Sequence, residues 1–132
     1  MAADLGLGNS FDDPDITYVV SLDDDGYYWF LYPYFEKANL DRRRELVDLY
    51  GGAVLDDYQL DRFEEELREA RFDAANRPEG WAVLTGWNAH RCKDFEIRKP
   101  VVREQLLKLI DQLLELVSDA RAKQLKVIVS GD

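Results

Sequence analysis

The sequence predicts an α+β fold: a mostly antiparallel sheet built from hairpins, with two helices packed on one face. Short segments rich in β-branched and aromatic residues come in pairs separated by turn residues, a pattern typical of hairpins. Two longer segments place apolar residues three or four apart, which indicates amphipathic helices. The chain has 132 residues, 46% of them hydrophobic, which suffices for one core. We therefore predict a single domain over residues 1–132.

The N-terminal third predicts an arm followed by a hairpin. Residues 1–14 are small and polar with several aspartates, which predicts a loose acidic arm that ends in the turn "DDPD". The segment "DITYVVSL" (15–22) is rich in β-formers and predicts the first strand. Because Asp25-Gly26 favours a hairpin turn, the run "YYWFLYPYFEKA" (27–38) is predicted to be the second strand.

The rest of the chain is predicted from its periodicity. Residues 39–57 fit either a helix or a short hairpin about Gly51-Gly52, and we favour strands. Residues 57–76 carry one apolar helical stripe, and residues 81–87 and 93–99 predict a second hairpin with "NAHRC" as its loop. Pro100 then begins a second helix, because proline is favoured in the first helical turn. Residues 125–132, "LKVIVSGD", predict a short final strand.

Charge and composition exclude several classes of protein. The net charge is −10, and residues 1–26 hold seven aspartates with no Lys or Arg. A surface this acidic repels nucleic acid and anionic lipid, so we expect neither nucleic acid nor a membrane as a partner. The N-terminus does not have the pattern of a signal peptide, and no apolar run approaches the length of a membrane span. The single Cys92 is typical of a reducing compartment, and a cytoplasmic location is expected.

The sequence holds no complete set of residues for catalysis or metal binding. If "DDDG" were a calcium loop with Gly26 at its sixth position, Ser21 and Tyr32 would fall where carboxylates are needed. His90 and Cys92 have no further His or Cys to complete a zinc site. No glycine-rich phosphate loop or nucleophile motif is present. We therefore expect a non-enzymatic protein with no catalytic residues, no cofactor and no metal.

The aromatic run beside the acidic turn is the candidate binding surface. As a strand it would be apolar on both faces, so one face is either core or an exposed patch. Tyr and Trp supply binding hot spots, and nearby aspartates steer a cationic partner. The residues predicted to bind a partner are Asp23, Asp24, Asp25, Tyr28, Tyr32, Tyr34 and Trp87.

Four segments carry a resemblance to other proteins. "YYWFLYPYFEKA", "LVDLYGGAV", "LLKLIDQLLELV" and the terminal "VIVSGD" together resemble a group of small, uncharacterised bacterial proteins, some of which resemble immunity proteins that neutralise toxins. The resemblance implies a compact cytosolic binding protein, and it implies no catalytic residues.

Three interpretations of function follow. The leading one is a protein-binding module of the immunity type that blocks a basic toxin domain. The second is a small-ligand-binding domain or an unrecognised enzyme, with a cleft lined by Tyr28, Tyr32, Trp87 and His90. The third is a structural homodimer joined through the final strand or the aromatic face, and the sequence leaves open whether the protein is a monomer or a homodimer.

Overall fold

A computed structural model describes residues 2–41, 43–90 and 93–131, and it confirms the α+β class. Three helices accompany antiparallel sheets in the described residues, and no helix among them is long and apolar enough to cross a bilayer. The elements are β1 (Ala2–Gly8), β2 (Thr17–Asp23), α1 (Gly26–Ala38), β3 (Gly52–Leu55), α2 (Asp57–Ala75), β4 (Gly80–His90), β5 (Lys93–Val102), α3 (Arg103–Lys123) and β6 (Lys126–Gly131).

The main sheet has the strand order β2-β1-β6-β3, and every pairing in it is antiparallel. Alternate residues of each strand face the helices, as the two-residue period of a strand requires. These inward side chains join the buried faces of all three helices in one hydrophobic cluster. The inward residues are Ala3, Leu5, Leu7, Val20, Leu22, Ala53, Leu55, Val127 and Val129.

The predicted loose arm over residues 1–14 is wrong, because β1 occupies a central position in the sheet. Strand β1 pairs with β2 on one side and with β6 on the other. Leu5 is fully buried. The following loop folds back onto the outer face of the sheet, where Phe11 lies directly over Gly52 and Ile16 lies beside Gly8. The alternation of Ala3, Leu5 and Leu7 with Asp4, Gly6 and Gly8 was the signal for a strand.

The predicted strand over residues 27–38 is also wrong, because this run forms helix α1. Asp25 caps the helix: its side chain accepts hydrogen bonds from the backbone N–H groups of Tyr27 and Tyr28. Gly26 opens the first turn against β5, where a Cβ would lie 2.6 Å from Cγ2 of Val101. "DDDG" is thus a helix start and not a hairpin turn.

The segment between α1 and α2 contains less strand than predicted. Among the described residues of this segment, only Gly52–Leu55 forms a strand. It pairs with β6, so the predicted hairpin about Gly51-Gly52 is wrong. The final strand β6 is confirmed, but β1 and β3 occupy both of its edges. A homodimer joined by strand addition to the final strand is therefore incompatible with this sheet.

The second hairpin and the two predicted helices are confirmed. Strands β4 and β5 pair over their length, from Gly80 opposite Val102 to His90 opposite Lys93, so the strands include part of the predicted "NAHRC" loop. The predicted start of the second helix at Pro100 is wrong, because Pro100 lies within β5 and α3 begins three residues later at Arg103. Helix α2 spans Asp57–Ala75 and buries the predicted stripe of Leu60, Phe63, Leu67, Ala70 and Ala74.

Candidate functional site at the acidic edge

The three aspartates of the turn have different environments. Oδ1 of Asp25 accepts from the N–H of Tyr27 at 3.0 Å and from that of Tyr28 at 3.2 Å, so this carboxylate is committed to capping α1. Oδ1 of Asp24 accepts from the indole Nε1 of Trp29 at 2.7 Å. Asp23 ends β2 with an exposed side chain. Asp23 and Asp24 therefore remain available to a partner, whereas Asp25 is structural.

Tyr28 is a core residue, so its assignment to a binding surface is wrong. Its side chain is 2% exposed, and its hydroxyl donates to the carbonyl oxygen of Val47 at 2.7 Å. Burial raises the pKa of Tyr28 well above its usual range, because the phenolate would have to lose its hydration. The side chain links α1 to the irregular segment that precedes β3.

Tyr34 and Tyr32 are half-buried, and each hydroxyl is bound to a carboxylate. The hydroxyl of Tyr34 donates to Asp73 of α2, and burial together with this bond raises the pKa of Tyr34. The hydroxyl of Tyr32 donates to Oε1 of Glu45 at 2.7 Å, and this bond raises the pKa of Tyr32 to about 12. The hydroxyl of Tyr34 therefore links α1 to α2, and the ring of Tyr32 is partly accessible.

Trp29 is a candidate residue that the sequence reasoning missed. Its ring lies 5.2 Å from that of Tyr32, centroid to centroid, and its indole N–H is bound to Asp24. A strand places residues 29 and 32 on opposite faces, whereas a helix places them on one face. Recognising Asp25 as a helix cap would have exposed this pair. The side chains of Trp87 and His90 lie outside what the structure describes.

Carboxylates border strand β2, which lies at an open edge of the main sheet. Asp12 and Asp15 are exposed before the strand, and Asp23 and Asp24 are exposed at its end. Asp13 is fixed by backbone N–H groups of Asn9 at 2.8 Å and of Asp15 at 2.9 Å, and these bonds lower the pKa of Asp13. We give the name acidic edge to β2 together with the aspartates of the segments before and after it, Asp12, Asp13, Asp15, Asp23 and Asp24.

The aspartates of the acidic edge form no side-chain ion pair within the described residues. The ion pairs there join residues from Asp41 onward, and none involves an aspartate of residues 2–26. The sequence has no Lys or Arg before Lys37. Nζ of Lys99 donates to the backbone carbonyl of Asp24 at 2.9 Å, so one cation lies against the end of β2. The negative charge of this edge is therefore left for solvent or a partner to balance.

A cleft of about 380 Å³ lies beside Tyr32, over a floor of Phe35, Leu46 and Val47. Arg43 and Arg44 stand on its rim with side chains 90% and 70% exposed. Of the two predicted cleft residues whose side chains the structure describes, Tyr32 lines this cleft and Tyr28 lies beneath the surface. In the described ranges no three His, Cys, Asp or Glu side chains are grouped to hold a metal ion.

Comparison with known proteins adds no relative. No family model, no curated protein and no solved structure matches this chain. The geometry and charge of the acidic edge therefore carry the functional argument alone.

Proposed function

We propose that this chain is a non-enzymatic protein-binding module that receives a basic protein domain against its acidic edge. The uncompensated carboxylates along β2 are the observation that carries the proposal. Clustered like charges repel one another in the free protein. A bound surface of opposite charge relieves that repulsion. A cationic protein surface supplies that complement.

Protein is the class of partner that this edge fits best. Nucleic acid and anionic lipid carry the wrong sign of charge. The partly accessible rings of Trp29 and Tyr32 lie next to Asp24 and Glu45, so aromatic area and negative charge are combined. Guanidinium groups pair with carboxylates and stack on aromatic rings, which makes arginine-bearing surfaces suitable partners.

Within this class, an immunity-type role fits the charge. An inhibitor that must capture a basic toxin domain gains from electrostatic steering, because carboxylates at the edge accelerate encounter. The resemblance of four segments to small bacterial proteins with immunity-like members points to the same role.

The test uses the product of the reading frame that adjoins this gene, purified as an inactive variant. Surface plasmon resonance compares the wild type with a variant in which Asp12, Asp15, Asp23 and Asp24 are changed to Asn. We expect the association rate of the variant to fall by at least about tenfold at low salt, with a smaller difference at about 150 mM salt. Co-expression with the active product measures protection of the cells.

A matched control removes the same number of charges elsewhere. It changes Glu69, Glu104 and Glu115 to Gln and Asp119 to Asn, on helices α2 and α3. Equal slowing by both variants would assign the effect to net charge and reject the acidic edge as the binding site. Absence of binding to a basic partner at any salt would reject the proposed function.

A further inference from the structure

The outward backbone edge of strand β2 is open, so its backbone N–H and C=O groups are available for hydrogen bonds to a partner. It pairs only with β1 among the described strands. No hydrogen bond in the described part of the chain reaches the outward backbone groups of residues 17–22. Unpaired strand edges of this kind are templates for a further strand.

The side chains along β2 suit a strand that lies beside it. Val19 is 64% exposed and Tyr18 is 46% exposed, so the edge presents apolar area. Between Leu5 and Gly6 the register with β1 shifts, because Val19 is an extra residue in β2 that pairs with nothing on β1. The regular part available to a partner is therefore Val20–Asp23, which leads directly to the acidic turn.

Charge decides which strand fits. Asp15 lies two residues before β2, and Asp23 and Asp24 lie at the other end of the strand. A second copy of this chain would bring the same aspartates to the contact, and like charges facing each other are destabilising. An extended segment with Lys or Arg would pair with carboxylates at both ends of the strand. Charge complementarity thus selects a cationic segment over self-association.

We propose that the acidic edge receives its partner by strand addition: an extended segment of the partner, bearing Lys or Arg and alternating with apolar residues, pairs with Val20–Asp23. The inference rests on the proposed function, since it specifies how the basic partner is held. Main-chain hydrogen bonds hold the segment on the strand, and the bordering carboxylates select its charge. Where the segment extends beyond Val20, its apolar side chains pack on the exposed Val19 and Tyr18.

The experiment uses two peptide probes of alternating lysine and valine, identical except for the backbone. One has normal amides, and the other is N-methylated at every second residue, which keeps the charge but removes the donors of one edge. We expect the normal peptide to bind at least about tenfold more tightly than the methylated one, because a ladder needs those N–H groups. Amide hydrogen exchange should slow at residues 20–23 only with the normal peptide.

Two variants locate the contact. Val19→Lys places a cation on the edge, and we expect it to weaken binding of the normal peptide by at least about tenfold. Phe72→Lys, at a residue of α2 that is 69% exposed, adds the same charge away from β2 and should leave binding nearly unchanged. Equal effects of the two variants would overturn the placement on β2.

The outcomes separate the inference from the proposed function. Equal affinity of the two peptides would mean that charge alone holds them, which overturns strand addition while leaving a basic partner in place. No binding of the normal peptide at low salt would also overturn strand addition. A different result rejects the proposed function: an association rate with the adjoining gene product that is the same for the four-aspartate variant and the wild type.

Discussion

At the scale of single residues, burial decides which tyrosines can act on a partner. Tyr28 and Tyr32 are four residues apart on α1, yet the first is buried and the second is half-exposed. Tyr28 donates its hydroxyl to Val47, so it holds a long-range contact in place. A partner can reach the ring of Tyr32 without disturbing the core.

Removing the hydroxyl of Tyr28 tests its structural role. We expect Tyr28→Phe to lower the free energy of unfolding by roughly 1–3 kcal/mol, because the carbonyl of Val47 loses its partner in the interior. Tyr50→Phe is the control, since Tyr50 is 63% exposed and should change stability by less than about 0.5 kcal/mol. Urea unfolding of both variants gives the comparison. Equal stabilities for the two variants would mean that the Tyr28 hydroxyl is not held as described.

At the scale of elements, helix α1 depends on its cap. Asp25 satisfies two backbone N–H groups that the first turn otherwise leaves unpaired. Pro33 lies inside the helix and has no N–H to donate, so the helix lacks one of its own backbone bonds and relies more on the cap and on packing. Phe30, Leu31 and Phe35 supply that packing against the rest of the core.

The capping role of Asp25 is tested by comparing its substitution with that of the nearby Asp23. Asp25→Ala should lower the free energy of unfolding by about 1 kcal/mol, the usual loss for a capping side chain. Asp23→Ala removes the same charge two residues earlier, from an exposed site without a cap, and should change stability by less than about 0.5 kcal/mol. Chemical denaturation measures both. If Asp23→Ala were the more damaging change, residue 23 and not residue 25 would begin the helix.

At the scale of the whole molecule, the charge distribution is uneven. The net charge is −10, and the aspartates of the acidic edge have no ion-pair partner among the described residues. Ion pairs elsewhere connect the helices, as Arg71 does with Asp111 and Arg121 with Asp61 and Glu64. Repulsion along β2 therefore opposes folding in the free protein.

Salt should relieve that repulsion. We expect the melting temperature to rise between about 10 mM and about 150 mM sodium chloride, because the screening length falls from roughly 30 Å to 8 Å. Relief worth about 1 kcal/mol would shift the melting temperature by roughly 4 °C in a domain of this size. The variant with Asp12, Asp15, Asp23 and Asp24 changed to Asn should show a smaller rise in thermal melts. A melting temperature that falls with salt would show that attractive ion pairs outweigh the repulsion.

The sequence by itself determined the features that depend on local periodicity. The apolar stripe of α2, the hairpin of β4 and β5 and the α+β class all follow from the spacing of apolar residues. The charge imbalance of the first 26 residues is also a property of the sequence. In α2 and in the hairpin the local pattern and the tertiary contacts favour the same structure, so the prediction from the sequence is confirmed.

Only the tertiary structure decided where the first and the aromatic segments lie. Residues 2–8 contain five residues of low β propensity and no β-branched or aromatic residue. They become a strand because β2 and β6 pair with them on both sides. The run of residues 26–38 is apolar at both strand and helix spacings, so its local pattern fits both. The Asp25 cap and the core packing of Phe30, Leu31 and Phe35 stabilise the helix. In the helix, Tyr28 is buried and Trp29 lies beside Tyr32.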